Sequence, residues 1–481
     1  MYLWNQEAPN RNPRGRSASG DSDDNLKGTL TDKLDKHKAV LRLALIYLAS
    51  MASVTGITSV SNFLYDQIGL YNLGQLGNFL CYAGMFIGTF FTRSIMGWFK
   101  DLRSAMYFGL IMIGLPMLAI VWTYGCSERS DPNDPHLFCK KVFLRSINLT
   151  ANFAMGLLGQ AVIWATEYEY IDRLTNLAEK KSYFALFYSV MQFHGVISAL
   201  LNYGLYSYNI DSLYCFIGFY SVHCLATISV AYYLPEISHY KSEPCPEFSL
   251  MDYEAEANMV LKHKPEDRLV SAADTVKGFF DTLYNSSKLM RFIPYMVQSG
   301  LFQGLVAGVL YRIVEIAYTD DTLDIGKLTP HEKDQEESRI KTQICLVNIF
   351  FYLCGLAACR MVLKLNHRKR NWAMRFVSVL LSVIAVSYWA DEDELGGDWT
   401  FPVIMGSLGI IHVMLNQVPT TYISESCPKT IEAFAVFKQI QTLGAAIYLA
   451  FYLVASEANF LRVQAALQVV STVMFLIIFR G

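Results

Sequence analysis

Charge is scarce in this chain. Only 17% of its 481 residues are charged, against roughly a quarter in an ordinary soluble domain. A globule of this length in water would need more polar surface than that. Runs of Lys and Arg interleaved with exposed aromatics are absent, and with a net charge of −2 nothing points to a nucleic-acid partner. The ten cysteines form no C-x-x-C pair and no His-flanked cluster, so no structural metal is expected. Nucleophile elbow, phosphate loop and metalloprotease helix are missing too. The chain is therefore expected not to be an enzyme, and no cofactor is called for. No short apolar h-region precedes the first long apolar run, and acidic residues begin at Glu7. That argues against a cleavable signal peptide and a mitochondrial transit peptide, and makes the first span an uncleaved anchor.

What the chain has is apolar length and a charge rhythm. Hydrophobic residues make up 53%. They gather in about twelve stretches, at about 40–64, 76–98, 104–124, 146–170, 182–206, 212–234, 289–318, 340–363, 372–390, 401–424, 430–454 and 458–480. Each is near the ~20 residues that cross a ~30 Å hydrocarbon core. Trp98, Trp122, Tyr124, Trp389 and Trp399 stand near the ends of runs, as interfacial aromatics do. Alternate connections are cationic: Lys33, Lys36 and Lys38; Lys100 and Arg103; Arg173, Lys180 and Lys181; Lys262, Lys264 and Arg268; Arg368, Lys369 and Arg370. Connections of the other parity carry Asp320, Asp321, Glu336 and Glu337, then Asp391 to Glu394. Loop 125–145, with Lys140, Lys141 and Arg145, breaks the pattern. A chain threaded through a bilayer retains its cations inside. The expectation is a multi-pass all-α membrane protein with both termini cytoplasmic and lipid as its first partner, in the plasma membrane or an endolysosomal membrane.

Six spans precede the longest internal loop and six follow it. The expected division is a cytoplasmic tail at 1–39, a six-helix bundle at 40–234, a cytoplasmic loop at 235–288 holding one weak amphipathic helix, and a second bundle at 289–481. Six plus six is the layout of major-facilitator transporters, two bundles meeting at a central cavity. The connection after span two, Gly97-Trp98-Phe99-Lys100-Asp101-Leu102-Arg103, resembles the start of that superfamily's G-x-x-x-D-R-x-G-R-R gate loop. It keeps Gly97, Asp101 and Arg103, while its counterpart Lys364 to Arg370 keeps only the basic charge. In span four, Leu157 to Tyr170 resembles the G-x-G-A-x-x-W-x-x-Q-G-x-Y-L pattern of the uncoordinated-93-like family. In span eleven, Glu432 to Ala446 resembles that family's A-F-A-x-[FY]-x-x-x-Q-S-x-G-x-A helix, and Leu70 to Gly74 echoes its L-G-x-x-S-L-x-x-L-Y stretch. Glu167, Tyr168 and Glu169 depart from it, putting two acids where the family has neutral groups. The resemblance implies an accessory subunit that regulates an ion channel or the trafficking of a receptor, with a channel or receptor as partner. The alternative is a secondary transporter of a small, mostly neutral solute, whose identity the sequence leaves unknown.

Ionisable groups at membrane depth are costly and therefore candidates for function. Arg312 and Glu315 share a face of span seven and read either as a structural ion pair or as a gate. Lys438 lies about 12 Å inside span eleven. Gln441 follows on its stripe, so the ammonium either snorkels to the cytoplasm or lines a cavity. Arg93 reads as an interfacial anchor or a partner for Asp101. His194 and His412, one in each half, could relay protons or be bonded within the packing. Glu167 and Glu169 point to different faces of one helix, which excludes a paired-carboxylate site, and Arg173 is placed to offset both. Cys126 and Cys139 share one outer loop and are a candidate disulfide. Asn148-Leu149-Thr150 is a glycosylation sequon at the very start of span four. Gly300, Gly304 and Gly308 on span seven, and Gly84 and Gly88 on span two, recur every four residues as close helix contacts do.

The charge rhythm sets a direct check. Epitope tags inserted beside Lys369 and beside Glu392 should report from opposite sides of the membrane in a protease-protection assay; a common side would break the threading.

Overall fold

In hydrocarbon every backbone N–H and C=O must be bonded within the protein, and a helix does this segment by segment. The computed structural model describes residues 22–129, 137–175, 177–208, 210–235, 272–309, 330–363, 365, 367–390, 400–426, 430–455 and 457–479. Among them the helices are α1 (Ser22–Gln67), α2 (Leu73–Gly97), α3 (Leu102–Arg129), α4 (Lys141–Ala154), α5 (Ala161–Leu174), α6 (Leu177–Met191), α7 (Phe193–Ser207), α8 (Ser212–Tyr233), α9 (Ala272–Asn285), α10 (Ser287–Gly304), α11 (Pro330–Leu363), α12 (His367–Ala390), α13 (Thr400–Ser426), α14 (Thr430–Val454) and α15 (Glu457–Ile478). A π-helical stretch, Met155–Gln160, joins α4 to α5 in one span, and α6 and α7 meet at Gln192 in another. A second π-helical stretch, Leu305–Val309, extends α10. Among the described residues eight helical spans are long and apolar enough to cross a bilayer on their own account. Helices α1 and α11 begin earlier than the apolar runs predict, at Ser22 and Pro330. Their polar first turns extend the helix beyond the lipid, where apolar content is not required.

Packing divides the spans into two sets with the same internal pattern. In the first set α1 packs on α8 and on α6–α7, α3 on α8, and α2 on α4–α5 with the π turn between them. In the second, α10 packs on α15 and on α14, α12 on α15, and α11 on α13. Each pair of the first set has its counterpart six spans later. The two main contacts that join the sets, α2 with α14 and α7 with α11, exchange under the same relation. The result is two six-helix bundles related by an approximate two-fold axis, facing one another along two helix pairs.

The bundles are drawn tight by glycine. A Cβ on Gly156 would stand 1.9 Å from the Cys81 carbonyl oxygen, and one on Gly88 would stand 2.2 Å from that of Leu157. Backbones of α2 and span four therefore touch with no side chain between them. Gly300 does the same against Gln441 of α14, at 2.4 Å. The amphipathic helix expected in the central loop is α9, which lies across α2, α10 and α14. Its Phe279 meets Phe90 of α2 edge-on at 6.3 Å, while Phe280 and Tyr284 face outward.

Gly156→Ala should lower the thermal midpoint in detergent, by an overpacking cost of about 1–3 kcal/mol. Gly125→Ala, where an added Cβ meets nothing within 4 Å, is the control. Equal behaviour of the two variants would refute the contact.

Candidate functional site

Buried polar residues occur inside each bundle, as Gln298, Ser378 and Thr472 do in the second, and a further set reaches the interface, or seam, between the bundles. Lys438 enters it from α14, one helical stripe below Gln441. The ammonium is half-buried and does not snorkel. It donates to Gln441 Oε1 at 3.1 Å and is enclosed by rings, with Trp164 of α5 at 4.8 Å, Phe437 at 5.4 Å and Phe434 at 5.6 Å. Aromatic faces carry negative charge density, so three of them make a workable substitute for water around a cation. Trp164 is held in place by donating its indole N–H to Gln160 Oε1 at 2.7 Å.

From Lys438 the seam runs toward the outer side. Gln441 Nε2 donates to Ser299 Oγ at 2.7 Å and to Asn416 Oδ1 at 2.9 Å. Gln303 Nε2 donates to the same Asn416 oxygen at 2.9 Å. Tyr82 of α2 donates to Gln303 Oε1 at 3.4 Å, and Asn78 of α2 donates to the Ala307 carbonyl at 2.6 Å. The hydrogen bonds run from Lys438 through Gln441, Asn416 and Gln303, on α14, α13 and α10 of the second bundle, and end on Tyr82 of the first, with Asn78 adding a separate bond across the interface.

Contacts lie at both ends of this seam. At the end nearer Asp101, called inner here, the Tyr168 ring of α5 stacks on Phe434 of α14 at 4.6 Å and on Phe184 of α6 at 4.8 Å. Lys180 covers Tyr168 at 5.5 Å and pairs with Asp172. Burial pulls the Lys180 ammonium down to about 8, a direction that Asp172 opposes. On the outer half the closing contacts are Asn78 with Ala307, and the Lys341 ammonium of α11 over Tyr206 of α7 at 5.5 Å. Beside the inner contact lies a cavity of about 440 Å³, walled by Thr89, Trp164, Tyr168, Phe279, Phe434 and Lys438 and reaching the loop with Asp101.

The predicted residues fall as follows. Lys438 and Gln441 lie on the seam. His194 bonds the Met191 carbonyl at 2.8 Å and meets Tyr352 of α11 edge-on at 5.8 Å. His412 lies between Phe302 and Phe351, with Nδ1 buried and unbonded, and within electrostatic reach of His194 and Lys438. The two histidines are brought to one region without touching. Asp101 accepts from the Ser104 amide at 2.6 Å and so caps α3. Gly97 has open space around it, so close packing does not explain the glycine. Arg103 is half-buried in the first turn of α3. Arg173 pairs with Glu169 alone. The expectation that it offsets Glu167 as well is corrected, because the two carboxylates leave the helix on different sides and Glu167 turns into the core. Cys126 and Cys139 are bonded, with Cα atoms 5.3 Å apart. Asn148 is buried, accepting from Tyr65 at 2.7 Å and donating to Thr123 at 2.7 Å, so the folded sequon offers no free amide. Arg312 and Glu315 lie outside the described residues, as does the side chain of Arg93.

Sequence reasoning missed Trp164, Tyr168, Phe434, Ser299, Gln303, Asn416 and Tyr82 as members of one seam. A signal was present: Ser299 and Gln303 share a helical stripe, as Lys438 and Gln441 do. Which stripes face one another is not written in any single helix.

No family model matches the sequence, and no curated protein matches it. Solved structures match in shape. A D-xylose–proton symporter aligns over 93% of this chain and 97% of its own, with a TM-score of 0.61 at 14% identity. A peptide transporter, POT, in complex with sulfate aligns over 92% and 93%, with a TM-score of 0.58 at 13% identity. The xylose transporter XylE from E. coli, in a partially occluded inward-open conformation, aligns over 93% and 99%, with 0.56 at 12%. At such identities the likeness is one of fold. The chain is an all-α, multi-pass integral membrane protein of major-facilitator-like architecture, two six-helix bundles side by side.

Proposed function

We propose that this protein is a secondary transporter that carries a small, mostly neutral solute by alternating access, and that it is not an enzyme. One observation carries the reading. The seam between the bundles holds a cation and amides in its middle, with an aromatic stack at one end and the Asn78 and Lys341 contacts at the other. A solute leaving water needs hydrogen-bond partners at membrane depth, and Gln303, Asn416, Gln441 and Lys438 offer them. Closing contacts at the two ends suit a protein that must open each side in turn. That the fold neighbours include a xylose–proton symporter and a peptide transporter supports this reading over that of an accessory subunit for a channel or receptor. The resemblance to the uncoordinated-93-like family supports the accessory role instead, and no contact described above favours it.

Purified protein in liposomes should take up at least one member of a panel of isotope-labelled neutral sugars, amino acids and short peptides, with saturation. Lys438→Ala should lower that uptake roughly tenfold or more, the equivalent of about 1.4 kcal/mol. Joining the inner closure as a disulfide, with Tyr168→Cys and Phe434→Cys together, should stop the flux, and reductant should restore it. No flux across the panel, together with reproducible co-purification of a channel or receptor, would replace the transporter reading with the accessory one.

A further inference from the structure

Carrying a solute along the seam gives no role to the cavity beside its inner end. At about 440 Å³ that cavity has the size of a small-molecule site. Three parts of the chain wall it: Trp164 and Tyr168 from the first bundle, Phe434 and Lys438 from the second, and Phe279 from α9, which belongs to neither. Four aromatic rings thus line one space, and rings receive flat apolar bodies well. Of the charged groups on the wall, Asp101 is bonded to the Ser104 amide and Glu169 to Arg173. Lys100 is exposed beside them. Within, Lys438 spends one N–H on Gln441 and otherwise lies against rings. Three cations against two partnered acids leave the wall cationic. Gln439 stands on the same wall, buried, and its Oε1 accepts no hydrogen bond. A bound N–H or O–H would satisfy it.

We propose that this cavity is a regulatory ligand site, sharing only Lys438 with the seam, for a small aromatic acid: a flat apolar body with one negative charge and one N–H or O–H. The ring of the ligand lies among Trp164, Tyr168, Phe279 and Phe434. Its carboxylate meets the Lys438 ammonium, a charge-assisted bond in a place poor in water. Its N–H or O–H reaches Gln439. Tyr168 and Phe434 are also the two rings whose stack makes the inner closure. A ligand seated against both must be shed before they part. It therefore binds the closed arrangement better than the inner-open one and holds the inner side shut. Its action as an inhibitor rests on the transporter reading, whereas its binding can be measured without any flux.

The full chain in phosphatidylcholine nanodiscs, titrated by calorimetry with indole-3-propionate, its primary amide and tryptamine, decides it. The acid should bind saturably and roughly tenfold or more tighter than the amide or the amine. Lys438→Gln should bring the acid down to the affinity of the amide. Ala165→Phe, which puts a ring into the cavity from its own wall, should abolish binding, and Phe280→Ala, on the outward face of α9, should leave it unchanged. If either of the first two variants loses its native elution and thermal midpoint, Gln439→Leu replaces it and should weaken the acid severalfold. No binding of the acid, equal affinity for acid, amide and amine, or binding that survives these wall changes would each overturn the proposal. Loss of the acid when phosphatidylglycerol replaces part of the lipid would assign the site to a leaflet lipid and overturn it likewise. Where the solute panel gives flux, the acid added on the Asp101 side should lower the maximal rate without raising the half-saturation concentration; the reverse would place it in the solute path and overturn a separate site. Binding of the acid alongside a failed panel would leave the site standing and remove the transporter reading.

Discussion

The ammonium of Lys438 sets the terms for the rest of the interior. Neither lipid nor a packed apolar core can solvate it, so the protein must build the equivalent of a hydration shell from its own parts. It does so with three aromatic faces and one amide oxygen. The amide then needs partners for its own N–H groups, which Ser299 and Asn416 supply, and Asn416 in turn draws in Gln303. Each polar group placed at this depth commits the next. A single charge therefore explains why amides from α10, α13 and α14 converge, and why Trp164 of the opposite bundle is needed to finish the enclosure.

That polar interior is affordable only because the framework around it is packed without compromise. Gly88 and Gly156 bring α2 and span four to backbone contact, and Gly300 does so for α10 and α14. These contacts belong to the bundles themselves or to neighbouring faces, and they are made of carbon and main chain. Directional bonds are found inside the bundles as well, as between Gln298 and both Ser378 and Thr472 in the second. Across the seam the hydrogen bonds are those of Tyr82 with Gln303 and of Asn78 with the Ala307 carbonyl, joined by the Lys438 contact with Trp164.

Much of this was legible in the sequence, and the reason is physical. Hydrocarbon thickness fixes helix length and the backbone rule excludes everything but helices, so apolar run length located the spans and loop charge gave a direction of threading. The four-residue spacing of Gly84 and Gly88 marked a close helix contact because nothing but a missing side chain permits one. The seam was not legible to the same degree. Trp164, Asn416 and Gln303 are ordinary residues in their own helices and acquire meaning only from facing Lys438 and Gln441, which lie 25 residues beyond Asn416 in the case of Gln441 and more than a hundred beyond the other two. The misassignment of Arg173 has a different origin. Glu169 stands four residues from Arg173 and within helical reach, whereas Glu167 stands six away and on another face, and in the fold that face enters the core.

The energies of the two closures also bear on what the molecule does. Opening the inner side gives up an aromatic stack of about 0.5–1.5 kcal/mol and a desolvated cation–ring contact of about 2 kcal/mol. Opening the outer side gives up the Asn78 bond, about 0.5–1.5 kcal/mol, and the Lys341–Tyr206 contact, of about 0.5–1 kcal/mol at an exposed site. These contacts come on top of the packing of α2 on α14 and of α7 on α11, which joins the bundles along two helix pairs. A ligand that shifts one bundle against the other must therefore bring a differential affinity that offsets the helix packing as well as the named contacts.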